Sequence, residues 1–190
     1  QTVTPSQAPN SWSKDNRIAL TQGTPATRSD IWILDVSSRK AEPFLQTAAS
    51  ERYPAFSPDG KWLAYTSDVS GHDEIYVQPY PGPGARVVVS AGTAWAPAWR
   101  GDGRELFYTG ETNQGPAMMA VGVTATATSV TAGVPQKLFA GRYGSTTPSR
   151  GWDVAADGQR FVMTRPVDRP PPPASHARRD SDRAKRSRRP

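Results

Sequence analysis

The chain of 190 residues contains no cysteine and only two histidines, His72 and His176. The lack of cysteine excludes a disulfide framework and thiolate-bound metals, and it is compatible with either an oxidising or a reducing compartment. One histidine lies in a polar turn and the other near the C-terminus, an arrangement that does not form a histidine-based metal site. We therefore predict that the chain holds neither a metal nor a cofactor.

Long apolar runs and amphipathic helical patterns are also missing. The 19 prolines and 16 glycines interrupt any stretch of helical periodicity, which predicts an all-β protein. No apolar run reaches the roughly 18 residues that a membrane helix requires. The sequence starts at Gln1 rather than at methionine and shows no signal-peptide core, so we expect a processed chain or an excerpt of a longer protein.

Positive charge is concentrated at the C-terminus. Residues 1–167 carry 15 basic and 14 acidic side chains, whereas residues 168–190 carry 8 and 3. The four consecutive prolines of this tail, and its lack of large apolar residues, predict disorder. No aromatic residues alternate with its arginines, so we prefer a solvated tail over an arm that binds phosphate or anionic lipid, and we expect no nucleic-acid partner.

A turn motif recurs along the rest of the chain. The stretch FSPDGKWLAY at 56–65 returns as WRGDGRELFY at 99–108 and as VAADGQRFVM at 154–163, and a weaker copy, WSKDNRIAL, occupies 12–20. In each copy an aspartate precedes a glycine or asparagine, which tolerates positive φ, and this is typical of a hairpin turn. The predicted turn residues of the repeats are Asp15, Asn16, Asp59, Gly60, Asp102, Gly103, Asp157 and Gly158.

Each turn is followed by two further short apolar runs, so a unit holds about four strands. Successive turn aspartates are 44, 43 and 55 residues apart, a period and strand count typical of propeller blades. The strands 62–65, 106–108 and 161–163 are apolar on both faces, which indicates burial on both sides. The predicted fold is a partial β-propeller of about three and a half four-stranded antiparallel blades.

The predicted organisation has three parts. An N-terminal segment occupies residues 1–9, the propeller repeats occupy 10–167, and the basic tail occupies 168–190. We place the blades at about 10–50, 51–92 and 93–141, with a partial blade at 142–167. Three and a half blades cannot close a ring, and an open ring leaves strand edges that pair with other chains. We therefore expect missing blades of the same protein, or self-association, to cover these edges.

Candidate catalytic patterns are weak. His72 would have to serve any Ser-His-Asp triad, but no G-x-S-x-G elbow is present to aim a nucleophile. The stretch Gly82–Val87 contains Pro83 and is followed by no helical pattern, so it reads as a hairpin turn rather than a nucleotide loop. We predict that this chain is not an enzyme.

Two groups of residues are candidates for binding. Asp68, Asp73 and Glu74 lie close together, but their spacing fits no calcium-loop template and charged turns are common in hairpins. Trp99 occupies the repeat's core position, whereas Trp95 lies in a connecting segment and stays open as a ligand residue. We expect rim loops to bind a protein partner or small ligand, with the segments between Gly110 and Pro116 and from Tyr143 to Arg150 as candidates, the second of which lengthens the last spacing.

The run from Asp30 to Met163 resembles the bacterial WD40-like propeller repeats of the TolB type, whose recurring core reads SPDG before an apolar strand. More narrowly, 52–108, PQKLFAGRY at 135–143 and WDVAADGQRFVM at 152–163 resemble the propeller that follows the kinase domain of many bacterial serine/threonine protein kinases. The kinase motifs H-R-D and D-F-G are absent, so this chain itself cannot transfer phosphate.

This resemblance implies a non-catalytic module for interaction or sensing, as a fragment of a larger bacterial protein such as a kinase with a C-terminal propeller. Two alternatives stay open: a TolB-like periplasmic scaffold of an envelope complex, and an accessory propeller of a prolyl-oligopeptidase-like hydrolase. The implied location is the extracytoplasmic or periplasmic side of a bacterial membrane, with the cytoplasm as the other option.

Overall fold

The structure, a computed structural model, describes residues 6–24, 28–126, 128–141, 143 and 150–165. All regular elements in these residues are β-strands, and they form antiparallel sheets in chain order. Blade 1 comprises β1 (Gln7–Trp12), β2 (Arg17–Thr24), β3 (Arg28–Asp35) and β4 (Lys40–Leu45). Blade 2 comprises β5 (Glu51–Phe56), β6 (Trp62–Ser67), β7 (Glu74–Pro79) and β8 (Val87–Val88).

The second half of the chain continues this arrangement with one variation. Blade 3 comprises β9 (Ala94–Trp99), β10 (Glu105–Thr112), β11 (Gly115–Ala125), β12 (Val130–Ala132) and β13 (Gln136–Ala140). Strand β11 is long enough to pair with β12 along its second half and with β13 along its first half. A half-blade of β14 (Trp152–Val154) and β15 (Phe161–Met163) follows. The all-β class and the partial propeller predicted from the sequence are confirmed.

Neighbouring blades pack large side chains against small ones. Between blades 1 and 2, Ala19 meets Phe56 and Tyr65 in one apolar cluster. Between blades 2 and 3, alanines of blade 2 are grouped with Trp99 and Tyr108. This repetition explains why the second strands are apolar on both faces, because each one contributes to two interfaces, and all six residues of β6 are buried.

A second repeated feature, a hydrogen bond from a bulged inner strand, joins neighbouring blades. Tyr53 and Ala96, six residues before the turn aspartates of blades 2 and 3, adopt positive φ values of 53° and 59°. At each position the inner strand bulges, and the backbone N–H donates to a threonine of the preceding blade: Tyr53 to Thr21 Oγ1 at 3.2 Å and Ala96 to Thr66 Oγ1 at 3.0 Å. The bulge thereby fixes one blade against the next.

Two sequence expectations need correction. The segment between Gly110 and Pro116, named as a candidate rim loop, is a tight hairpin turn rather than an irregular insertion, because β10 and β11 stay paired up to Thr112 and Gly115. The longer last spacing is shared between the additional hairpin of β11 and β12 and the residues that follow β13, which include the segment from Tyr143 to Arg150. Strand β15 is not buried on both faces, because Val162 is 70% exposed where no further blade lies among the described residues.

Two other predictions fall partly or wholly outside the described residues. Of the segment Tyr143–Arg150, only its two end residues are described. The tail at 168–190 is not described at all.

Candidate functional site

The Asp-Gly turns of the repeats lie between the first two strands of each sheet. Asn16, Gly60, Gly103 and Gly158 have positive φ values of 55°, 74°, 73° and 74°. In the three glycine copies the aspartate Oδ1 accepts a hydrogen bond from the backbone N–H two residues later, at Lys61, Arg104 and Gln159. These residues shape the turns, and their aspartates act as local acceptors.

A cavity of about 220 Å³ lies between the first strands of three different blades, and we term it the channel cavity. Pro9 and Asn10 of β1 form one wall, and Tyr53 and Pro54 of β5 form the next. Residues 150–153, at the start of β14, complete the lining. The cavity is therefore built from equivalent inner-strand positions, which the repeats bring together from distant parts of the chain.

Arg150 is the main cationic group at this cavity and is held on several sides. Its Nε donates to the carbonyl oxygen of Trp152 at 2.8 Å, and its Nη1 donates to the carbonyl oxygen of Pro97 at 3.2 Å. Nη2 forms an ion pair with Asp153 Oδ1 at 2.7 Å, and the guanidinium carbon lies 5.2 Å from the Trp152 ring centroid. Burial lowers the pKa of Arg150, and the nearby carboxylate of Asp153 opposes that effect.

A second, more apolar cavity of about 140 Å³ shares Arg150 and Trp152 with the first. Trp95, Met118 and Tyr143 contribute to its other walls. Trp95, which the sequence left open as a ligand residue, thus lines a cavity next to the channel cavity. Trp99 is instead a core residue as predicted, because it is 91% buried and its Nε1 donates to the Ala55 carbonyl oxygen at 3.0 Å.

The weak catalytic and metal candidates are explained by local contacts. His72 Nε2 lies 3.5 Å from Glu74 Oε1, whereas the Ser70 hydroxyl donates to the carbonyl oxygen of His72 and not to its ring. Asp68 and Asp73 form ion pairs with Arg28 and Arg52. Within the described part of the chain, no group of three or more His, Asp or Glu side chains is placed to hold a metal ion.

The stretch Gly82–Val87 leads into β8, which pairs antiparallel with β7, as predicted for a hairpin. Among the described residues, no helix is long and apolar enough to cross a membrane.

Sequence reasoning missed the channel cavity because each wall is contributed by a different repeat. The signal was present in the repeats: Arg52, Trp95 and Arg150 all stand seven residues before a turn aspartate. Aligning the copies on that aspartate makes Arg150 the equivalent of Trp95. What the alignment could not supply is the contact with Pro97, which depends on how two blades meet.

Successive antiparallel sheets, two of four strands and one of five, stack face to face around inner strands that line a cavity, and they define this chain as a segment of a β-propeller. The TolB β-propeller domain matches residues 3–137, which is more than half of the chain. The chain therefore belongs to the TolB β-propeller family, and its repeats are of the TolB type.

Solved structures agree on the fold. TolB from Acinetobacter baumannii superposes with a TM-score of 0.68 at 19% identity, over 85% of this chain and 38% of that one. A TolB-type protein from Agrobacterium tumefaciens gives a TM-score of 0.63 at 18% identity, over 88% and 61%. The β-propeller domain of the Trilobed protease from Pyrococcus furiosus gives 0.53 at 15%, over 79% and 47%.

The chain thus spans less than two thirds of the length of each of these structures. A search of curated proteins gives no match.

Proposed function

We propose that this chain is a binding segment of a larger propeller protein, that it catalyses no reaction itself, and that a protein partner contacts it at the channel cavity. The observation that carries the proposal is the combination of a guanidinium and an indole, Arg150 and Trp152, at a cavity formed by three inner strands. Arginine and tryptophan are enriched where proteins bind one another, and arginine recognises main-chain carbonyl oxygens and carboxylates.

The first setting is a scaffold protein of the TolB type on the extracytoplasmic side of a bacterial membrane. Its support is the match of the TolB domain and the likeness to two TolB-type structures. The C-terminal propeller of a serine/threonine protein kinase is the second setting, which rests on the sequence resemblance. A propeller attached to a hydrolase is the third, and the likeness to the Trilobed protease domain supports the fold alone.

Photocrosslinking in the native host tests where a partner binds. A photoreactive residue replaces Pro9, an exposed residue at the channel cavity, in the full-length protein. The matched positions are Asn113, in the turn between β10 and β11, and Glu42, on the outer strand β4. We expect a discrete protein adduct from position 9 and none from position 42.

The outcome also separates the two candidate surfaces. An adduct from position 113 alone would move the binding site to the rim, as the sequence first indicated. No adduct from either position, together with turnover of a substrate by the purified full-length protein that depends on residues of this chain, would overturn the proposal.

A further inference from the structure

A pocket of about 560 Å³ lies beside the apolar cluster that blades 1 and 2 share, and we term it the Arg86 pocket. Residues 43–45 of the outer strand β4 form one wall. Residues 81–84, in the connection from β7 to β8, form the opposite wall, and Gln78 and Arg86 complete the lining. The pocket is separate from the channel cavity, because its walls belong to the outer parts of the blades whereas inner strands line the channel cavity.

The wall from blade 1 is apolar because β4 bulges. The ladder between β3 and β4 is irregular at Phe44, which pairs with no residue of β3. Consecutive side chains of a regular strand point to opposite faces, whereas Phe44 and Leu45 both pack against the cluster between blades 1 and 2. The bulge therefore presents two large apolar side chains in succession to the pocket.

The opposite wall is held in place by close contacts. A Cβ atom on Gly84 would lie 2.4 Å from Pro79 Cγ, so glycine is needed where the connection folds back on the end of β7. The Tyr80 ring packs with its centroid 5.4 Å from that of Phe44 and 4.9 Å from that of Phe56. These contacts fix the connection against both blades, so the pocket is preformed.

The polar side chains of the pocket supply hydrogen-bond donors and one positive charge. Gln78 Oε1 accepts a hydrogen bond from the Tyr65 hydroxyl at 2.9 Å, which leaves the Nε2 group of the amide as a donor. The Arg86 guanidinium lies over the Tyr76 ring, 5.4 Å from its centroid. Burial raises the pKa of Tyr65 to about 12, and the nearby Arg86 charge opposes this effect. Within the described residues, Arg86 forms no ion pair with a carboxylate.

The corresponding place between blades 2 and 3 is apolar and sealed. The register of the second and third strands makes Val121 the equivalent of Gln78. Val121 is only 1% exposed and belongs to the core cluster between blades 2 and 3. The fold therefore accepts an apolar, buried residue at this position, and a polar group beside an open pocket is a property of blades 1 and 2 alone among the three full blades described.

We infer that the Arg86 pocket binds a small monocarboxylic acid with an apolar body. The guanidinium and the Gln78 amide donate to the carboxylate, while Phe44, Leu45 and the prolines of the connection cover the apolar part. Among the described residues that line the pocket, Arg86 alone is charged, so the pocket balances a single negative charge and not that of a phosphate dianion. This inference goes beyond the binding at the channel cavity and does not depend on it.

The test uses the full chain and 4-phenylbutanoate as the probe, since this acid joins a carboxylate to a phenyl ring. Three comparison compounds separate the two features. The amide 4-phenylbutanamide removes the charge, 4-phenylbutylamine reverses it, and acetate retains the carboxylate without the apolar body. Titrations are followed by the side-chain amide resonances of Gln78 in 15N-labelled protein.

We expect the probe to shift the Gln78 side-chain amide with a Kd on the order of 1 mM, the affinity of a ligand with about a dozen non-hydrogen atoms. The neutral amide should bind about tenfold more weakly, because the charge-assisted hydrogen bonds are lost. Acetate should weaken by a similar factor through loss of the apolar contact, and the amine should not move the Gln78 resonances.

A variant without the positive charge gives the decisive comparison. Arg86 is exposed, so Arg86→Gln should retain the fold, and its Kd for the probe should rise about tenfold. Arg104→Gln removes an exposed arginine from the turn of blade 3 and should bind the probe like the unmodified chain. Equal binding of the probe by Arg86→Gln and the unmodified chain, or equal binding of the acid and its amide, would overturn the inference.

The C-terminal residue of a protein is the other carrier of a carboxylate next to an apolar group. An N-acetylated tripeptide that ends in phenylalanine with a free carboxylate tests this source. Weaker binding than that of 4-phenylbutanoate would support the small acid. Tighter binding that Arg86→Gln abolishes would assign the pocket to the C-terminus of a partner, and the assignment to a small acid would be wrong.

Discussion

Glu51 is a carboxylic acid enclosed between blades 1 and 2, with only 1% of its surface exposed. Its Oε1 accepts a hydrogen bond from the Thr47 hydroxyl at 2.6 Å, whereas Oε2 has no hydrogen-bond partner in the described part of the chain. Burial raises the pKa of Glu51, the Thr47 hydrogen bond lowers it, and the charges of Asp30 and Asp68 raise it further. The ionised form of Glu51 is therefore less favourable in the folded chain than in the unfolded chain.

We predict that Glu51→Gln stabilises the chain at pH 7. The unfolded carboxyl group ionises near its ordinary value of 4.5, but the folded one ionises at higher pH. For an acid with a raised pKa, stability is lost as the pH rises from the unfolded to the folded value. Thermal unfolding should thus give a higher Tm for Glu51→Gln at pH 7, and the advantage should vanish below pH 4.5.

Glu42→Gln is the matched control, since Glu42 is exposed on the outer strand β4. Its Tm should follow that of the unmodified chain at every pH. A lower Tm for Glu51→Gln at pH 7 would show that the buried carboxylate stabilises the fold.

The bulged inner strand is the element that links one blade to the next. Ala96 is fully buried in β9, and its N–H finds its acceptor on Thr66 of β6, which is also fully buried. A buried N–H without an acceptor costs about 1–3 kcal/mol. We therefore expect Thr66→Val to lower the free energy of unfolding by about that amount, although valine has nearly the same shape as threonine.

Thr66→Ser separates the hydroxyl from the methyl group. It retains the acceptor and loses one buried methyl group, so it should cost only about 0.8 kcal/mol. Equilibrium unfolding in urea measures both variants. If Thr66→Val destabilised the chain no more than Thr66→Ser does, the hydrogen bond between the blades would contribute little to the free energy of unfolding.

The left-handed conformation of Ala96 predicts an unusual response to glycine. A non-glycine residue at positive φ costs about 1–2 kcal/mol, and glycine avoids this cost. Glycine in turn loses more chain entropy on folding, which costs about 0.5–1 kcal/mol. Ala96→Gly and its control Ala98→Gly each also lose one buried methyl group, which costs about 0.8 kcal/mol. Ala96→Gly should therefore be neutral to within about 1 kcal/mol. Ala98→Gly, in the same strand and without positive φ, should destabilise by about 1–2 kcal/mol, and urea unfolding would contradict this account if both variants behaved alike.

Elements that follow from local chemistry could be predicted, and those that follow from neighbouring blades could not. The turn around Asp59 and the apolar strand after it lie in one stretch of sequence, so the hairpin β5–β6 could be predicted. The last three residues of β11, 123–125, pair only with β12, and the stretch 124–132 consists mainly of alanine, threonine and valine and has no equivalent in the other repeats. The channel cavity is even harder to predict from the sequence, because Pro9, Tyr53 and Arg150 come together only when the blades stack.

At the scale of the whole molecule, blade 1 presents an uncovered face. Trp12 occupies the position of Phe56 and Trp99 in the other repeats, yet it is 64% exposed, whereas those two are buried against the preceding blade. Ile18, Leu20, Trp32 and Leu34 continue the same face on β2 and β3. Because the large side chains of one blade meet alanines of its neighbour, this face is complementary to a blade with small apolar residues.

We predict that the isolated chain self-associates through this face and that Trp12→Asp weakens the association. A charge at the centre of an apolar contact opposes its burial, while an exposed residue contributes little to the stability of the single chain. Sedimentation equilibrium at about 10–100 μM should show a lower average mass for Trp12→Asp with an unchanged Tm, since many weak associations have Kd values near this range.

Val69→Asp is the control, because Val69 is an exposed valine in the turn between β6 and β7, away from the face. It should leave the mass distribution unchanged. If Trp12→Asp also leaves the mass unchanged while the unmodified chain associates, the contact lies elsewhere. The surface to test is then the edge of β15 that pairs with no strand among the described residues. Adding the blades that precede this segment in a longer protein should abolish the association, because a covalent neighbour occupies the face at a far higher effective concentration than a second copy does.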